Sequence, residues 1–224
     1  MPASPALVDL PSRLVRVERP EPPLRFSRIT AELAAAENAG NRFDVLGGGV
    51  LYVSTGAEGA FAETTAQFRR SASIIARIAR AGGSLEEQDG PSVDASWRAS
   101  RVLRTLGTRD ALPFVDIEDP VTHTYLTRAA PTVLVGAGVN TLDVPTVRGP
   151  YRRLTRAIAG WLYTRIDDAD APLYGGIRYV SRLGDYECWA IFEGTLVEPV
   201  DERRITIDDP DLVAVATRHG IRLE

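Results

Sequence analysis

The chain has 224 residues, a formal net charge of −4 and an isoelectric point near 5.4. This charge excludes a protein that grips phosphate backbones through a basic surface, so we expect no direct contact with nucleic acid. The 44% hydrophobic content is enough for the core of one domain. Because the sequence has neither a membrane-spanning apolar run nor a secretory signal, we expect a cytoplasmic protein without membrane contact.

The two histidines and the single cysteine argue against several kinds of site. His123 and His219 have no histidine or cysteine partner at ligand spacing, so a zinc site is not predicted. Cys188 lies in the apolar stretch ECWAIF, which is typical of a buried structural thiol. The sequence contains no G-x-S-x-G motif, and a serine hydrolase is therefore not predicted either.

The N-terminus carries six of the chain's 15 prolines within its first 23 residues. Prolines lack a backbone donor and favour extended conformations. We therefore expect residues 1–23 to form an arm or an edge segment ahead of a domain at residues 24–224. Alternation over residues 24–29 indicates a first strand of that domain, and the alanine-rich residues 30–39 favour a short helix.

Residues 42–63 are the centre of the predicted organisation. Glycines at 47–49 allow a tight turn before a strand predicted at residues 50–53, which read VLYV. A helix is predicted over residues 58–81, because apolar residues recur there at helical spacing. Glu63 falls in the first turn of this predicted helix, on a face apart from the apolar stripe. It is therefore free to face a ligand.

The middle of the chain alternates between loops and predicted elements. Residues 84–90 have the composition of a loop, and residues 93–106 are predicted to form a second helix. A short strand is predicted at residues 113–117, and residues 131–135 are predicted to be another strand or a buried turn. Residues 151–165 carry apolar side chains at intervals of three and four, which predicts an amphipathic helix.

The C-terminal third is predicted to be an antiparallel meander followed by a helix. Period two places Ile177, Tyr179 and Ser181 on one face of its first strand. Asp209 and Pro210 then supply a cap and a first residue for a helix through about residue 217. The strands are predicted at residues 176–181, 187–192, 195–199 and 203–207. Together these elements predict an α+β domain.

Several residues could bind a phosphorylated ligand, and each also has a plainer explanation. The glycines at 47–49 and 136–138 lack the rest of a phosphate-binding motif and are better explained as turns. Arg28 and Arg42 stand near strands, where each could hold a pyrophosphate or simply be a solvated surface arginine. Glu63 could serve a ligand or could simply be attracted to the positive end of its helix.

Two segments taken together resemble a known family. They are NRFDVLGGGVLYVSTGAEGAFAE at residues 41–63 and GGIRYVSRLGDYECWAIFE at residues 175–193. Both resemble the RES family, named for its arginine, glutamate and serine, and the resemblance extends over about residues 24–224. The family resembles ADP-ribosyltransferases in fold, which implies antiparallel sheets with flanking helices. Its members pair with helix-turn-helix antitoxins in bacterial toxin–antitoxin modules, so the resemblance implies a toxin and an antitoxin partner.

The resemblance also implies an activity and a set of site residues. Family members cleave NAD at the nicotinamide–ribose bond, passing ADP-ribose to water, phosphate or a protein, and they need no metal. The family arginine matches Arg42, its tyrosine Tyr52, its glutamate Glu63 and its serine Ser181, with Arg28 as a second candidate arginine. The implied roles are catalytic for Glu63 and Arg42, and NAD-binding for Arg28, Arg42, Tyr52 and Ser181.

The chemistry of NAD cleavage suits these residue types. Positive charge builds on the ribose as the bond breaks, and a carboxylate beside it stabilises the transition state more than the ground state. Arginines can clamp the two phosphates, a tyrosine ring can stack on nicotinamide, and a serine can hydrogen-bond to the ribose or the amide. Ser54 and Thr55 depart from the small apolar residues expected there. The sequence leaves open the acceptor, a homodimer, and the alternative of a non-catalytic nucleotide-binding protein that acts through a protein partner.

Overall fold

The computed structural model describes residues 3–36, 39–82 and 91–224. These residues form an eight-stranded sheet and a separate two-stranded ribbon, with helices packed around them. The strands are β1 (Leu7–Val8), β2 (Arg13–Glu18), β3 (Val50–Ser54), β4 (Ser92–Val93), β5 (Val102–Thr108), β6 (Phe114–Asp116), β7 (Gly176–Val180), β8 (Glu187–Phe192), β9 (Val197–Arg204) and β10 (Arg222–Leu223). The α-helices are α1 (Ala31–Ala35), α2 (Ala57–Thr65), α3 (Ala72–Arg80), α4 (Ala95–Ala99), α5 (Pro120–Ala129), α6 (Pro131–Gly136), α7 (Val144–Arg148), α8 (Arg152–Tyr163) and α9 (Pro210–His219).

The large sheet has the strand order β1-β6-β7-β8-β3-β2-β5-β9. Its neighbouring strands are antiparallel except for β6 and β7, which run parallel. The ribbon pairs β4 with β10 in parallel. The α+β class predicted from the sequence, with mainly antiparallel strands and flanking helices, is confirmed.

Strand β2 lies in the interior of the large sheet, between β3 and β5. It pairs with β5 along its whole length, from Arg13 opposite Gly107 to Glu18 opposite Val102. The segment predicted as an N-terminal arm therefore supplies an interior strand, which corrects the prediction of an arm ahead of the domain. The prolines of this segment flank β2 and do not interrupt it, so they leave its ladder of hydrogen bonds intact.

The register of three neighbouring strands brings the two motif segments together. Strand β8 lies between β3 and β7, with Cys188 opposite Ser54 on one side and opposite Tyr179 on the other. Because both β3 and β7 are antiparallel to β8, they end in the same direction. The residues that follow Ser54 and Val180 are thereby carried to the same end of the sheet.

Three hydrophobic clusters form the core on the two faces of the large sheet. The largest packs Leu154, Ile158 and Leu162 of α8 against strands β6, β7 and β8. Cys188 is buried in this cluster, and burial raises the pKa of its thiol to about 12. The prediction of a buried structural thiol is confirmed, because a protonated thiol is a poor nucleophile.

The long helix predicted over residues 58–81 is instead two helices. Helix α2 ends at Thr65, a single 3₁₀ turn follows at Ala66–Phe68, and Arg69 then adopts an extended conformation. Helix α3 starts anew because the side chain of Ser71 accepts a hydrogen bond from the backbone N–H of Ile74. Helix α3 ends next to Gly82, as predicted, with Gly82 at φ +69°. The loop predicted at residues 84–90 lies outside the described residues.

The second predicted helix, at residues 93–106, is wrong over most of its length. Asp94 caps only the five-residue helix α4, and the chain then enters strand β5. Pairing on both sides, with β2 and β9, outweighs the local helix preference. The prediction of a strand or buried turn at residues 131–135 is also wrong. This segment is helix α6, which begins at Pro131, a favourable first residue of a helix.

The C-terminal predictions are largely confirmed, with one error of topology. Strands β7 and β8 and helices α8 and α9 lie where the sequence predicts them, and Asp209 caps α9. The two strands predicted at 195–199 and 203–207 are the single strand β9. It pairs with β5, and the predicted meander is wrong because β3 and β7 already occupy both edges of β8.

Other features concern the segment before β3 and the helices. The strand predicted at residues 24–29 is reduced to isolated bridges, at Ser27 with Val50 and at Ile29 with Leu46. The predicted helix at 30–39 is the shorter α1. Within the described ranges, none of the helices has the length and apolar character needed to cross a bilayer.

Candidate functional site

A cavity of about 750 Å³ opens between β2, β3, helix α2 and the segment that follows β2. Polar and charged side chains dominate its wall, and Glu63 is the carboxylate among its described lining residues. Arginine is the most frequent lining residue. The seven arginines are Arg16, Arg25, Arg28, Arg42, Arg69, Arg152 and Arg182. Such a wall fits an anionic ligand that carries phosphate groups.

Glu63 enters the cavity from the last turn of α2, which spans Ala57–Thr65. The predicted position in the first turn is therefore wrong, since Glu58 occupies that turn. At the C-terminal end of a helix the macrodipole is negative, so it disfavours a carboxylate there. The plainer explanation of Glu63, attraction to the positive helix end, is removed by this placement.

The approach of α2 to β3 depends on a glycine. A Cβ atom at Gly59 would lie 2.1 Å from Oγ of Ser54, a distance that would force one of the two elements to move. Gly59 therefore lets α2 pack closely against the end of β3, and this packing sets where Glu63 enters the cavity. Ser54 in turn donates a hydrogen bond of 2.9 Å to the backbone oxygen of Glu187 in β8. The departure from small apolar residues at this position thus ties β3 to β8.

Ser181 lies directly behind Glu63. Its side-chain hydroxyl donates a 2.6 Å hydrogen bond to Oε1 of Glu63 and accepts one of 3.0 Å from the backbone N–H of Leu183. Ser181 is only 3% exposed and is not part of the cavity wall. The predicted proximity of the two motif residues is therefore observed. The contact of Ser181 is with the carboxylate, which it orients, and not with the open cavity.

Arg42 presents unused hydrogen-bond donors at the cavity wall. Its Nη2 atom donates a hydrogen bond of 2.7 Å to the backbone oxygen of Val147. Its Nε and Nη1 atoms are buried and have no hydrogen-bond partner among the described residues. The guanidinium carbon lies 5.1 Å from the ring centre of Phe43 and 5.3 Å from that of Tyr179. Burial lowers the pKa of Arg42 from its ordinary value. Buried donors without partners are costly, and a bound anion would satisfy them.

Arg16 is a cavity residue that the sequence analysis missed. It projects from β2 and donates a hydrogen bond of 2.9 Å to the backbone oxygen of Tyr52. Its Nε atom lies 3.1 Å from Oε2 of Glu18, with which it forms an ion pair. Burial lowers the pKa of Arg16, against the opposing effect of Glu18. The strand-like stretch RLVRVE could have revealed it, because an arginine between two valines is unusual in an interior strand.

Arg28 lies at the rim of the cavity, away from any named strand. It forms an ion pair with Glu193, and its side chain is 59% exposed. Arg16, which projects from a strand, therefore fits the expected second arginine better than Arg28 does.

Tyr52 uses its hydroxyl to hold the loop that carries Arg42. The hydroxyl donates a hydrogen bond of 2.9 Å to Oδ1 of the buried Asp44 and accepts one of 3.0 Å from the backbone N–H of Phe43. Burial, followed by the nearby Asp44 carboxylate, raises the pKa of Tyr52 well above its ordinary value. The rest of the side chain lines the cavity, so Tyr52 both shapes the wall and anchors Arg42.

The family model described as the RES domain matches residues 13–213. The chain belongs to the RES domain family. The match begins at the first residue of β2, in agreement with the position of this strand inside the sheet.

No curated protein matches the chain. The chain is similar to a chain in the crystal structure of the M. tuberculosis MbcT–MbcA toxin–antitoxin complex, with 11% sequence identity and a TM-score of 0.49. That similarity covers 96% of this chain and 91% of the other.

The two glycine runs considered in the sequence, at residues 47–49 and 136–138, are not among the cavity-lining residues. Gly47 is at φ +79°, and a Cβ atom at Gly48 would come within 2.7 Å of the Tyr163 ring, so this run forms a tight turn as expected. Gly136 and Gly138 likewise belong to the end of α6 and the turn after it. Among the residues that the structure describes, no group of histidine, cysteine and acidic side chains could hold a metal ion.

Proposed function

We propose that this RES domain is an NAD-consuming enzyme that cleaves the bond between nicotinamide and ribose. The observation that carries the proposal is the composition of the cavity wall, whose described residues include seven arginines and one carboxylate, that of Glu63. The arginines suit the pyrophosphate of a dinucleotide, and the carboxylate suits a ribose that gains positive charge.

The proposed step leaves the bonding electron pair with nicotinamide, which departs as a neutral molecule. The ribose C1′ atom takes on oxocarbenium character and is then attacked by an acceptor that supplies an oxygen or other nucleophilic atom. The Glu63 carboxylate stabilises the developing cation, and Ser181 holds the carboxylate through Oε1. This role is the same whether the acceptor is water, phosphate or a protein side chain.

Arg42 and Arg16 are the proposed ligands of the pyrophosphate. Arg42 has two buried donors without described partners, and Arg16 lies on the adjacent wall of the same cavity. Both guanidinium groups are held by backbone oxygens, from Val147 and Tyr52 respectively. Their forks are therefore oriented before a ligand arrives, which reduces the entropy lost on binding.

We further propose that the chain is the toxin of a toxin–antitoxin pair, neutralised by a helix-turn-helix antitoxin. The support is its membership of the RES domain family and what the family resemblance implies. Expression of the chain alone should arrest bacterial growth and lower cellular NAD. Co-expression with the product of the neighbouring gene should restore growth, and unrestricted growth in both cases would contradict the toxin role.

The decisive measurement for the enzymatic proposal is the release of nicotinamide from NAD by the purified chain. Chromatography measures this release over time. Steady release, in proportion to enzyme concentration, is the expected result. Binding of NAD in calorimetry without any release, with or without phosphate, would instead support the non-catalytic nucleotide-binding protein. An absence of both binding and release would overturn the assignment of NAD.

A further inference from the structure

Two structural supports hold the cavity residues Arg42 and Glu63. The first is the backbone oxygen of Val147, near the C-terminal end of α7, which accepts the hydrogen bond from Arg42. The second is Ser181, just after β7, which orients Glu63. The last carbonyls of a helix have no partner within the helix, so Arg42 satisfies one of them.

A single buried carboxylate joins these two supports. Oε2 of Glu118 lies 2.7 Å from Nε of Arg148, the residue after Val147. Oε1 of Glu118 accepts a 3.1 Å hydrogen bond from the backbone N–H of Val180, the residue before Ser181. The side chain of Glu118 is only 9% exposed. Both of its oxygens are thus used, one toward each support.

Glu118 is itself fixed in place. It lies between β6 and α5, and its backbone N–H donates a hydrogen bond of 3.0 Å to Oδ1 of Asp116. Charge-assisted hydrogen bonds of this kind are stronger than neutral ones, and they restrict both partners in direction. The carboxylate therefore locks helix α7 to the end of strand β7.

We propose that Glu118 is a positioning residue for the site, which sets the location of Arg42 through Arg148 and Val147. The inference rests on the proposed function in one respect, because it takes Arg42 as a ligand of the pyrophosphate. Glu118 is not a residue of the cavity wall, so it acts on a ligand through these neighbours and through its charge, which raises the pKa of Arg42 against the larger effect of burial. A displacement of about 1 Å is enough to weaken such a site strongly.

The test is a double-mutant cycle on the binding of ADP, a pyrophosphate ligand that the proposed reaction cannot cleave. Glu118→Gln keeps the size of the side chain but replaces one acceptor oxygen with an NH₂ donor. Because Arg148 and Val180 both donate to Glu118, one of the two loses its acceptor. In calorimetry we expect ADP to bind on the order of tenfold more weakly to this variant. In an Arg42→Ala background, the same change should have no further effect on ADP binding.

Two controls separate positioning from general loss of structure. Glu198→Gln makes the same substitution in the exposed ion pair with Arg109, at 2.8 Å, and should leave ADP binding unchanged. Arg148→Gln breaks the same contact from the other side and should reproduce the weaker binding. If Glu118→Gln fails to fold, the cycle is run with Arg148→Gln, whose side chain is 37% exposed.

The outcomes are distinct from those of the NAD test. Equal ADP affinity in the wild type, Glu118→Gln and Arg148→Gln would overturn the inference. It would also be overturned if Glu118→Gln weakened ADP binding equally in the wild-type and Arg42→Ala backgrounds. Absence of ADP binding to the wild type would also overturn it. A wild type that binds ADP in this Glu118-dependent manner but releases no nicotinamide would uphold the positioning role and refute the NAD-cleaving function.

Discussion

The cavity and the β5–β9 side of the sheet use arginine in different ways. On β5 and β9 and just after β5, Arg104, Arg203 and Arg109 each pair with a carboxylate. The pairs are Arg104 with Glu18 at 2.5 Å and with Glu202 at 2.8 Å, Arg109 with Glu198 at 2.8 Å, and Arg203 with Asp209 and Asp211. These arginines serve the fold, because each joins strands or caps a helix.

In the cavity the balance is reversed. Arg16 and Arg28 have carboxylate partners in Glu18 and Glu193, which do not line the cavity. The other described members include four that form no ion pair with a described carboxylate, namely Arg25, Arg42, Arg69 and Arg182. Arg25, Arg69 and Arg182 are exposed, whereas Arg42 is half-buried with two buried donors that have no described partner. Positive charge without a partner at a half-buried position costs stability, and this cost at Arg42 is understandable if an anionic ligand supplies the missing charge.

The largest expected effect concerns the carboxylate of the cavity. Glu63→Gln keeps the shape of the side chain and its acceptor for Ser181 but removes the charge, so NAD should still bind with similar affinity. Turnover should fall on the order of a hundredfold or more, as when a preorganised electrostatic group is lost. Because Glu63 lies at the negative end of α2, thermal unfolding should be unchanged or slightly improved.

Glu58→Gln is the matched control for this change. Glu58 lies in the first turn of the same helix and pairs with Arg218 at 2.7 Å, away from the cavity wall. Its substitution should lower stability slightly and leave nicotinamide release intact. Equal release by folded wild-type and Glu63→Gln proteins would refute the catalytic role of Glu63.

A smaller effect should distinguish the two kinds of arginine. Arg42→Lys keeps the positive charge but replaces the planar fork with a single ammonium, so NAD binding should weaken by roughly tenfold. Arg109→Lys makes the same change in an exposed ion pair of the β5–β9 side and should leave NAD binding unaltered. Calorimetry on both variants provides the measurement. Unchanged affinity in Arg42→Lys would shift the pyrophosphate to other arginines, with Arg16 the first to examine.

A third change tests whether Ser181 orients Glu63 or holds the ligand. Ser181→Ala removes the 2.6 Å hydrogen bond to Glu63, so kcat should fall on the order of tenfold while KM stays nearly constant. Ser92→Ala removes a similar serine–glutamate bond, at 2.8 Å to Glu224, and should change neither parameter. A rise in KM at constant kcat would instead assign Ser181 to ligand binding.

The sequence predicts those parts of the fold that local chemistry decides. Helix α9 begins at the Asp209 cap and ends at Gly220, which adopts the left-handed conformation. Strands β7 and β8 follow from β-branched and aromatic runs between turn residues. Strand β5 was not predictable from local sequence, because its partners β2 and β9 are distant from it in the chain. The segment that contains β2 was also predicted to be an arm.

The sequence likewise predicts some features of the candidate site and misses others. The motif residues Arg42, Tyr52 and Glu63 do line the cavity, and Ser181 does contact Glu63. The end of α2 at Thr65 was not predictable from its apolar spacing, which continues beyond it, so the position of Glu63 in the last turn was not predictable either. The stretch RLVRVE carries a sequence signal for Arg16 on a strand, but the place of Arg16 in the cavity wall follows only from the position of β2 inside the sheet.

The smallest expected effect concerns His219, in the last turn of α9, the helix that packs against α2. Burial, together with the positive charges of Arg69 and Arg218, lowers the pKa of this imidazole below 6.5. The folded chain therefore binds fewer protons than the unfolded chain at pH values between the lowered pKa and 6.5. The free energy of unfolding should accordingly decrease as the pH falls through this window.

Arg69→Gln removes one of those charges from the rim of the cavity, so the pKa of His219 should move back toward 6.5. An NMR titration of the His219 ring in the wild type and in this variant measures the shift directly. Lys is the matched comparison, because Arg69→Lys keeps the charge and should leave the pKa of His219 nearly unchanged. If both variants titrate like the wild type, the positive charge of Arg69 does not reach His219, and burial together with Arg218 accounts for the lowered pKa.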